Sequence, residues 1–365
     1  WHGLVLGQPW LPIVVAVLVI SCPCALALAT PAALTAASGA LLERGVAVLR
    51  TGALEDLVAV THVVFDKTGT LTVGRPRLEH VVVHGDADET RCRRIAAALE
   101  ANSEHPIARA LVDGAGDAPR PMAEDLRNTP GGGIEGTVDG VRYALGSRAF
   151  ITARAVEAVP APVGDDIAQE ALLAADGRVI AEFPLRDTLR PEAADTVGSL
   201  RDAGLTLAIF SGDRPEVVGR IGAELGIVDA RGGMTPADKL AALDALQARG
   251  AVVAVVGDGV NDAPMLAHAA LSFAVANAAE HAKVNADLVA LRDGIDGVGA
   301  AFALARRTRQ VMRQNLWWAL GYNLVALPLA LAGFVAPWFA AFCMSASSLV
   351  VTLNAARLRR AGNQT

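Results

Sequence analysis

The chain has 365 residues, 53% hydrophobic and 19% charged, with a formal net charge of −6. Residues 1–42 and 314–356 contain no Asp, Glu, Lys or Arg. The charges are therefore concentrated in the middle, where they reach the share of about 25% usual in soluble proteins. This pattern excludes a simple cytosolic enzyme, a disordered chain and a small disulfide-framework module, and the sequence lacks the basic stripe of a nucleic-acid binder.

From Pro12 to about Thr35 the sequence is apolar and long enough to span a bilayer, which needs about 20 residues. Within it, ISCPCALALATP (20–31) places two thiols around Pro23. A proline removes a backbone hydrogen bond and unwinds the helix locally, which turns Cys22 and Cys24 toward one cavity. Reactive groups at bilayer depth mark ion paths. Thiolates are soft ligands that select Cu(I), with zinc as the alternative. Cys92 and Cys343 stand alone, so neither a disulfide framework nor a four-ligand zinc site is readable. The chain begins at Trp1 without a signal-peptide layout and reads as a piece of a longer protein.

Three apolar, β-branched runs then end in polar clusters. HVVFDKTGTLT (62–72) stops at Asp66, LTLAIFSGD (205–213) at Ser211 and Asp213, and AVVAVVGDGVND (251–262) at Asp258 and Asp262. Such runs predict strands buried on both faces of a parallel sheet. Helices are predicted at 215–226 and 235–250, the second capped by Thr235 with Pro236 and Asp238 in its first turn. Alternating strands and helices imply a doubly wound α/β domain whose ligand lies beyond the carboxyl ends of the strands. Converging carboxylates suit Mg2+ and phosphate oxygens. Lys67 and Lys239 can neutralise phosphate charge, and Asp66 can attack a phosphoryl group.

About 130 residues separate the first two of these strands, too many for a crossover, so a domain is inserted. TVDGVRYAL (137–145) and LLAADGRVIAEF (172–183) predict hairpins with Asp-Gly turns. Residues 91–101 predict an amphipathic helix running into SEHPIA (103–108), and TPGGGIEG (129–136) spaces Gly131, Gly133 and Gly136 as GxGxxG. The charge-free stretch 314–356 predicts two more spans joined near 333–337. Arg306, Arg307, Arg309 and Arg313 before it and Arg357, Arg359 and Arg360 after it put both ends in the cytoplasm.

DKTGTLT (66–72) and GDGVNDAPML (257–266) resemble the signatures of P-type ATPases, within the haloacid-dehalogenase-like superfamily. The resemblance implies that ATP phosphorylates Asp66, flanked by Lys67 and Thr68. Ser211, Gly212 and Asp213 (SGD, where the family often has TGD) and Lys239 would bind the phosphoryl group. Asp66, the Thr68 carbonyl, Asp258 and Asp262 would hold Mg2+, with Asn261 in support. Asp187 in RDTLRP matches the re-entry into the phosphorylation domain. The insert resembles the nucleotide-binding domain of the heavy-metal subgroup. There His105 would stack on adenine beside Glu100, Glu104 and Pro106, and the loop of Gly131, Gly133 and Gly136 would pass the phosphates. Ser147 stands where that subgroup usually has Asn.

Tyr322 and Asn323 in one late span, with Met344, Ser347 and Ser348 in the other, resemble the monovalent-copper class. They would share the ion with Cys22 and Cys24, and Cys343 is assigned to packing. The zinc class would show a Lys and an Asp in these spans. The implied organisation is a membrane helix with the CPC motif (1–49) and a phosphorylation domain in two parts (50–76 and 185–304) around the nucleotide-binding domain (77–184). Two membrane helices and a tail follow (305–365). The implied activity is ATP-driven export of Cu+, with Ag+ as a surrogate, in a cell membrane with cytoplasmic soluble domains. The expected partners are the lipid bilayer, a copper chaperone or thiol carrier, and an amino-terminal part bearing the actuator domain. The rivals are a zinc or other heavy-metal ATPase, a membrane-anchored phosphatase of the same superfamily, and a binding module without turnover.

Overall fold

A computed structural model describes residues 10–103, 105–116, 119–129, 132–161, 169–258, 263–278 and 280–360. Helix α1 (Trp10–Ile20) ends at Ser21–Pro23, and α2 (Cys24–Glu43) resumes beyond the proline. The single span expected at 12–35 is thus two helical pieces hinged at the CPC motif. Strand β1 (Val46–Val48) and helix α3 (Ala53–Ala59) lead into β2 (His62–Asp66). The insert follows: β3 (Arg77–Leu78), β4 (Val82–Val83), α4 (Glu89–Leu99), α5 (Pro106–Gly114), β5 (Ala123–Thr129), β6 (Gly133–Val138), β7 (Val141–Gly146), α6 (Arg148–Thr152), β8 (Gln169–Ala175) and β9 (Arg178–Arg186). The chain then returns through α7 (Ala193–Asp202), β10 (Thr206–Phe210), α8 (Pro215–Leu225), β11 (Asp229–Arg231), α9 (Pro236–Ala248), β12 (Val253–Gly257), α10 (Ala263–His268), β13 (Leu271–Ala274), α11 (Glu280–Asn285) and β14 (Leu288–Ala290). It ends in α12 (Asp296–Leu331) and α13 (Pro337–Arg360).

The first sheet has the order β1-β14-β13-β12-β2-β10-β11, parallel except for β1 against β14. From β2 the chain steps outward to β10 and β11, then crosses back to β12, β13 and β14. The crevice between β2 and its neighbours is therefore the switch point where such sheets bind ligands. Val63, Val64, Phe65, Val255 and Val256 are fully buried in this sheet. Each such side chain stabilises the fold by about 2 kcal/mol.

The second sheet is antiparallel, β3-β9-β8-β7-β6-β5, with β4 also paired to β9. Both Asp-Gly hairpins form as expected. Asp139, Gly140, Asp176 and Gly177 all have φ between 47° and 82°, as a two-residue turn matched to strand twist requires.

Two stretches among the described residues are apolar and long enough to cross a membrane, 10–43 (mean hydropathy 2.6) and Pro337–Arg359 (1.6). The expected third span lies in the later part of α12, where Gln314, Asn315, Tyr322 and Asn323 dilute its apolar character. Gly333, at φ +80, marks the expected turn before α13. Ala25 and Ala29 of α2 pack with Ala319 of α12 and Val351 of α13, small residues that let the backbones approach closely. Further along α2, Ala33, Ala37 and Ala40 join the core of the first sheet, together with Val298, Ala301 and Phe302 of α12. One hydrophobic core thus runs from that sheet into the membrane helices.

Candidate active site

Asp66 is the last residue of β2, paired with Phe210 of β10, while Val256 of β12 pairs with Phe65. This register brings Asp66, Ser211 and Asp258 to one sheet edge. The chain leaves Asp66 through a tight turn in which Gly69 has φ +73. A Cβ on Gly69 would lie 2.8 Å from Asp258 Oδ2, so the turn after β2 presses directly on that carboxylate.

The capping box of Thr235 and Asp238 fixes the start of α9, and Pro236 presets its first turn. Lys239, one residue further, is delivered to the sheet edge, where Nζ donates to Asp66 Oδ1 at 2.7 Å. Lys67 is buried and pairs with Asp213. Ser211 is also buried, and its hydroxyl accepts from the Asp213 N–H at 3.1 Å. Two lysines, two aspartates and a serine therefore occupy one largely dehydrated corner. Thr68 and Gly212 follow Lys67 and Ser211 in the same loops. Asn261 and Asp262 lie outside the described residues.

Two supports come from the re-entry segment. Asp187 accepts from the Thr72 hydroxyl at 2.5 Å and from the Gly74 N–H at 3.0 Å. Burial pushes its carboxyl above the ordinary range, against the pull of Thr72, Lys67 and Gly74. Arg190, more deeply buried, donates to the carbonyls of Thr70 (2.9 Å) and Gly69 (3.2 Å) and pairs with Asp293 at 2.7 Å. Sequence reasoning missed Arg190. Its signal was an arginine just before Pro191 in the segment where the chain must return to the sheet.

In the second sheet a cleft of about 570 Å3 is lined by Glu100, Ser103, His105, Gly133, Gly146 and Ser147, among others. His105 does two things, since its Nδ1 accepts from the Ile107 N–H at 3.3 Å and so caps α5. Pro106 is the first residue of that helix and does not line the cleft. Burial pushes Glu100 above the ordinary range, partly offset by a hydrogen bond with Ser103. A Cβ on Gly133 would lie 2.3 Å from the Leu145 carbonyl, and one on Gly146 2.5 Å from that of Gly132, so backbone forms this wall. Gly136 was expected beside Gly133 but points to the opposite face, toward Leu99 and Leu126. An odd offset along a strand reverses the face. Ser147 Oγ accepts from the Phe150 N–H at 3.3 Å and caps α6. Glu104 and Gly131 lie outside the described residues.

In the membrane helices, Tyr322 Oη and Asn323 Oδ1 are buried with no hydrogen-bond partner among the described residues. Tyr322 lines a cavity of about 470 Å3 with Cys343, Trp318 and Ile20. Met344 and Ser348 do not line it. The expectation gave Cys343 to packing and Met344 to the ion. Of these two neighbours, Cys343 lines the cavity. Ser347 is buried and accepts from Trp318 Nε1 at 3.1 Å. Cys22 and Cys24, expected as two free thiols, are joined to each other as a disulfide. Their Cα atoms lie 5.5 Å apart, on either side of the helix break at Pro23. Metal ligation requires the reduced pair.

Residues 60–270 match the haloacid dehalogenase-like hydrolase family. Along 98% of its length the chain is 42% identical to nitrogen fixation protein FixI of Rhizobium leguminosarum bv. viciae. Along 95% it is 37% identical to a copper-exporting P-type ATPase of Mycobacterium tuberculosis. These alignments cover 46% of each relative, so the chain spans about half the length of the curated relatives it matches. A crystal structure of a zinc-transporting PIB-type ATPase in an E2.Pi state superposes with a TM-score of 0.81 at 33% identity, over 98% of this chain and 60% of the other. The catalytic domain of the CPx-ATPase CopB-B superposes with a TM-score of 0.62 at 26% identity, over 73% and 98% respectively. The chain belongs to the haloacid dehalogenase-like hydrolases and corresponds to the carboxy-terminal part of a P-type ATPase.

Proposed function

We propose that the protein carrying this chain uses ATP to export monovalent copper, with Ag+ as a surrogate ion. The observation that carries the catalytic part is the buried contact of Lys239 with Asp66, at the switch point of the sheet and beside Asp258. An Asp66 oxygen attacks the γ-phosphorus in line, the bond to the departing ADP oxygen breaks, and an acyl phosphate remains. Lys239, Ser211 and Gly212 steady the transferred group, and Lys67, paired with Asp213, adds positive charge at the same corner. The donor set also fits Mg2+, because Asp66, Asp258 and the Thr68 carbonyl are all oxygen ligands. A buried hydroxyl without a partner among the described residues, Thr70 Oγ1, lies in the same turn. Bound Mg2+ would neutralise phosphate charge, with Asp262 and Asn261 completing the set.

His105 and Glu100 receive the base of ATP in the cleft, and the wall formed by Gly133 and Gly146 admits the phosphates closely. For the ion, the CPC break supplies two soft ligands once reduced. Tyr322, Asn323, Met344, Ser347 and Ser348 supply uncharged groups across the bundle. A chaperone or thiol carrier delivers the ion from the cytoplasm, and an amino-terminal part completes the transport cycle. The likeness to a zinc-transporting ATPase supports a second reading, zinc, which the uncharged late spans oppose.

The test is phosphoenzyme formation from labelled ATP in membranes carrying the full-length protein, with Cu(I), Ag(I) or Zn(II). Asp66→Asn serves as the control. Label that requires Cu(I) or Ag(I), is released by hydroxylamine and vanishes in Asp66→Asn supports export of copper. Label that requires Zn(II) overturns the ion, and no label under any metal overturns the activity.

A further inference from the structure

Where α12 and α13 emerge from the apolar bundle, a cavity of about 420 Å3 opens between them. It is lined by Arg306, Arg307, Gln310 and Gln314 of α12 and by Arg357 and Leu358 of α13. The first four recur at helical spacing on one face, so three guanidinium groups from two helices meet across one space. No carboxylate lines it among the described residues. Arg307 has no hydrogen-bond or ion-pair partner among the described residues. Among the described residues Arg357 reaches only the Asn354 amide oxygen, at 3.2 Å, and Arg306 donates to the Ala203 carbonyl. Three like charges gathered without an anion repel one another, and planar guanidinium donors match phosphate oxygens.

The depth of this cavity sets its ligand. The charge-free stretch begins at Gln314, so the arginines sit at the cytoplasmic boundary of the bilayer. An adjoining cavity, which shares Gln310 and Gln314, continues along α12 to Trp317 and Trp318. Tryptophans are enriched at the headgroup level of membranes. A free phosphate would use only the basic part. A phospholipid would place its phosphate among the arginines and its glycerol and first acyl carbons against the tryptophans. Basic pockets of this kind between membrane helices suit anionic headgroups.

We propose that this cavity binds the phosphate of an anionic phospholipid from the cytoplasmic leaflet. The site couples the bilayer to the catalytic body. Arg306 bonds the carbonyl that closes α7, and α12 runs unbroken from the core of the first sheet into the membrane. The proposal rests on the reading that 314–356 lies in the membrane.

The full chain is reconstituted in phosphatidylcholine nanodiscs carrying a minor share of phosphatidylglycerol, and retained lipid is counted by native mass spectrometry. Selective retention of phosphatidylglycerol is expected. Arg307→Gln should weaken it roughly fivefold, and Arg307→Gln with Arg357→Gln roughly 25-fold. Arg306 is left intact because its bond to Ala203 gives it a structural role. Arg309→Gln removes the same charge from the same helix but lines a different cavity beside Glu55, and should change nothing. Equal weakening by Arg309→Gln would mean a diffuse surface field and overturns the proposal, as does retention of phosphatidylcholine without preference. Displacement by inorganic phosphate at the lipid's own affinity overturns the lipid as source. Failure of the wild-type chain to co-float with phosphatidylcholine vesicles overturns the membrane reading, and the proposal with it.

Discussion

Lys239 Nζ lies 2.7 Å from Asp66 Oδ1, with the two side chains only 6% and 7% exposed. Each charge helps to hold the other in that corner. Removing one partner of a buried pair typically costs about 3–5 kcal/mol. Lys239→Met and Asp66→Asn should each lower the melting temperature of the full chain and abolish the phosphoenzyme. The double variant should lose less stability than the sum of the two single losses, which thermal melts will show. Strict additivity would mean the pair is not coupled.

Gly69 is the position least tolerant of substitution in the turn after Asp66. Its φ of +73 costs an L-residue about 1–2 kcal/mol, and a Cβ would meet Asp258 Oδ2 at 2.8 Å. Gly69→Ala should leave the chain folded but remove phosphorylation by displacing Asp258. Gly219→Ala on α8 meets nothing within 4 Å and should raise stability by roughly 0.5–1 kcal/mol. Phosphorylation of Gly69→Ala at the wild-type level would contradict this account of the turn.

The strands that carry Asp66, Ser211 and Asp258 were legible because β-branched runs stopping at polar residues have few other meanings. Thr235, Pro236 and Asp238 announced α9 equally well, since capping is local chemistry. Less was legible where the outcome depends on packing between distant segments. The arginine before Pro191 marked the re-entry segment, but its support of the Asp66 turn joins residues about 120 apart, so the local pattern did not show what Arg190 touches. Gly136 was misplaced because GxGxxG spacing takes no account of the strand period that sends it to the far face from Gly133. That Cys343 borders the cavity was not legible either, because the positions of α1 and α12 decide which face of α13 does so.

Acid should unfold the catalytic body through specific carboxylates. Partial burial pushes Asp287 up, but hydrogen bonds from Arg50 and from the Ser272 N–H and hydroxyl outweigh it and hold the group below its ordinary 3.8. Arg190 does the same for Asp293. A carboxylate depressed in the folded state contributes stability that is complete above 3.8 and is lost as pH falls through the depressed folded value. Asp187, raised by burial, works in the opposite sense: its contribution is complete below 3.8 and fades as pH rises through the folded value. Denaturant midpoints measured against pH should therefore fall in the acid range. Asp287→Asn should flatten that limb, and an unchanged acid slope in the variant would contradict the assignment.

Nucleotide affinity should respond to Ser147. Its oxygen accepts the bond that caps α6, which leaves a ligand in the cleft one short O–H donor. Asn is as good a helix cap as Ser and adds an amide donor. Ser147→Asn should keep stability and tighten ATP binding by the worth of one neutral hydrogen bond, about two- to tenfold. Titration with a fluorescent ATP analogue is the measurement. Unchanged affinity with an unchanged melting temperature would mean the position does not face the ligand.

The ion path makes the last prediction. Tyr322 Oη is a buried hydroxyl with no partner among the described residues, beside a cavity that also borders Cys343. A buried polar group left unsatisfied costs about 1–3 kcal/mol, so a hydroxyl kept only for packing would be a liability. Tyr322→Phe removes the oxygen and preserves the ring that fills the space. Its stability should therefore match or exceed that of the wild type, while the Cu(I) concentration needed for phosphoenzyme formation rises. Asn323→Leu should behave in the same way, since Asn323 Oδ1 is equally unpartnered among the described residues. Cys343→Ala enlarges the cavity and separates a ligand from a packing role. A thiol that contacts the ion shifts the copper requirement, and one that only packs lowers the melting temperature alone. A Tyr322→Phe protein that melts lower than the wild type yet responds normally to copper would refute the reading of this cavity as part of the ion path.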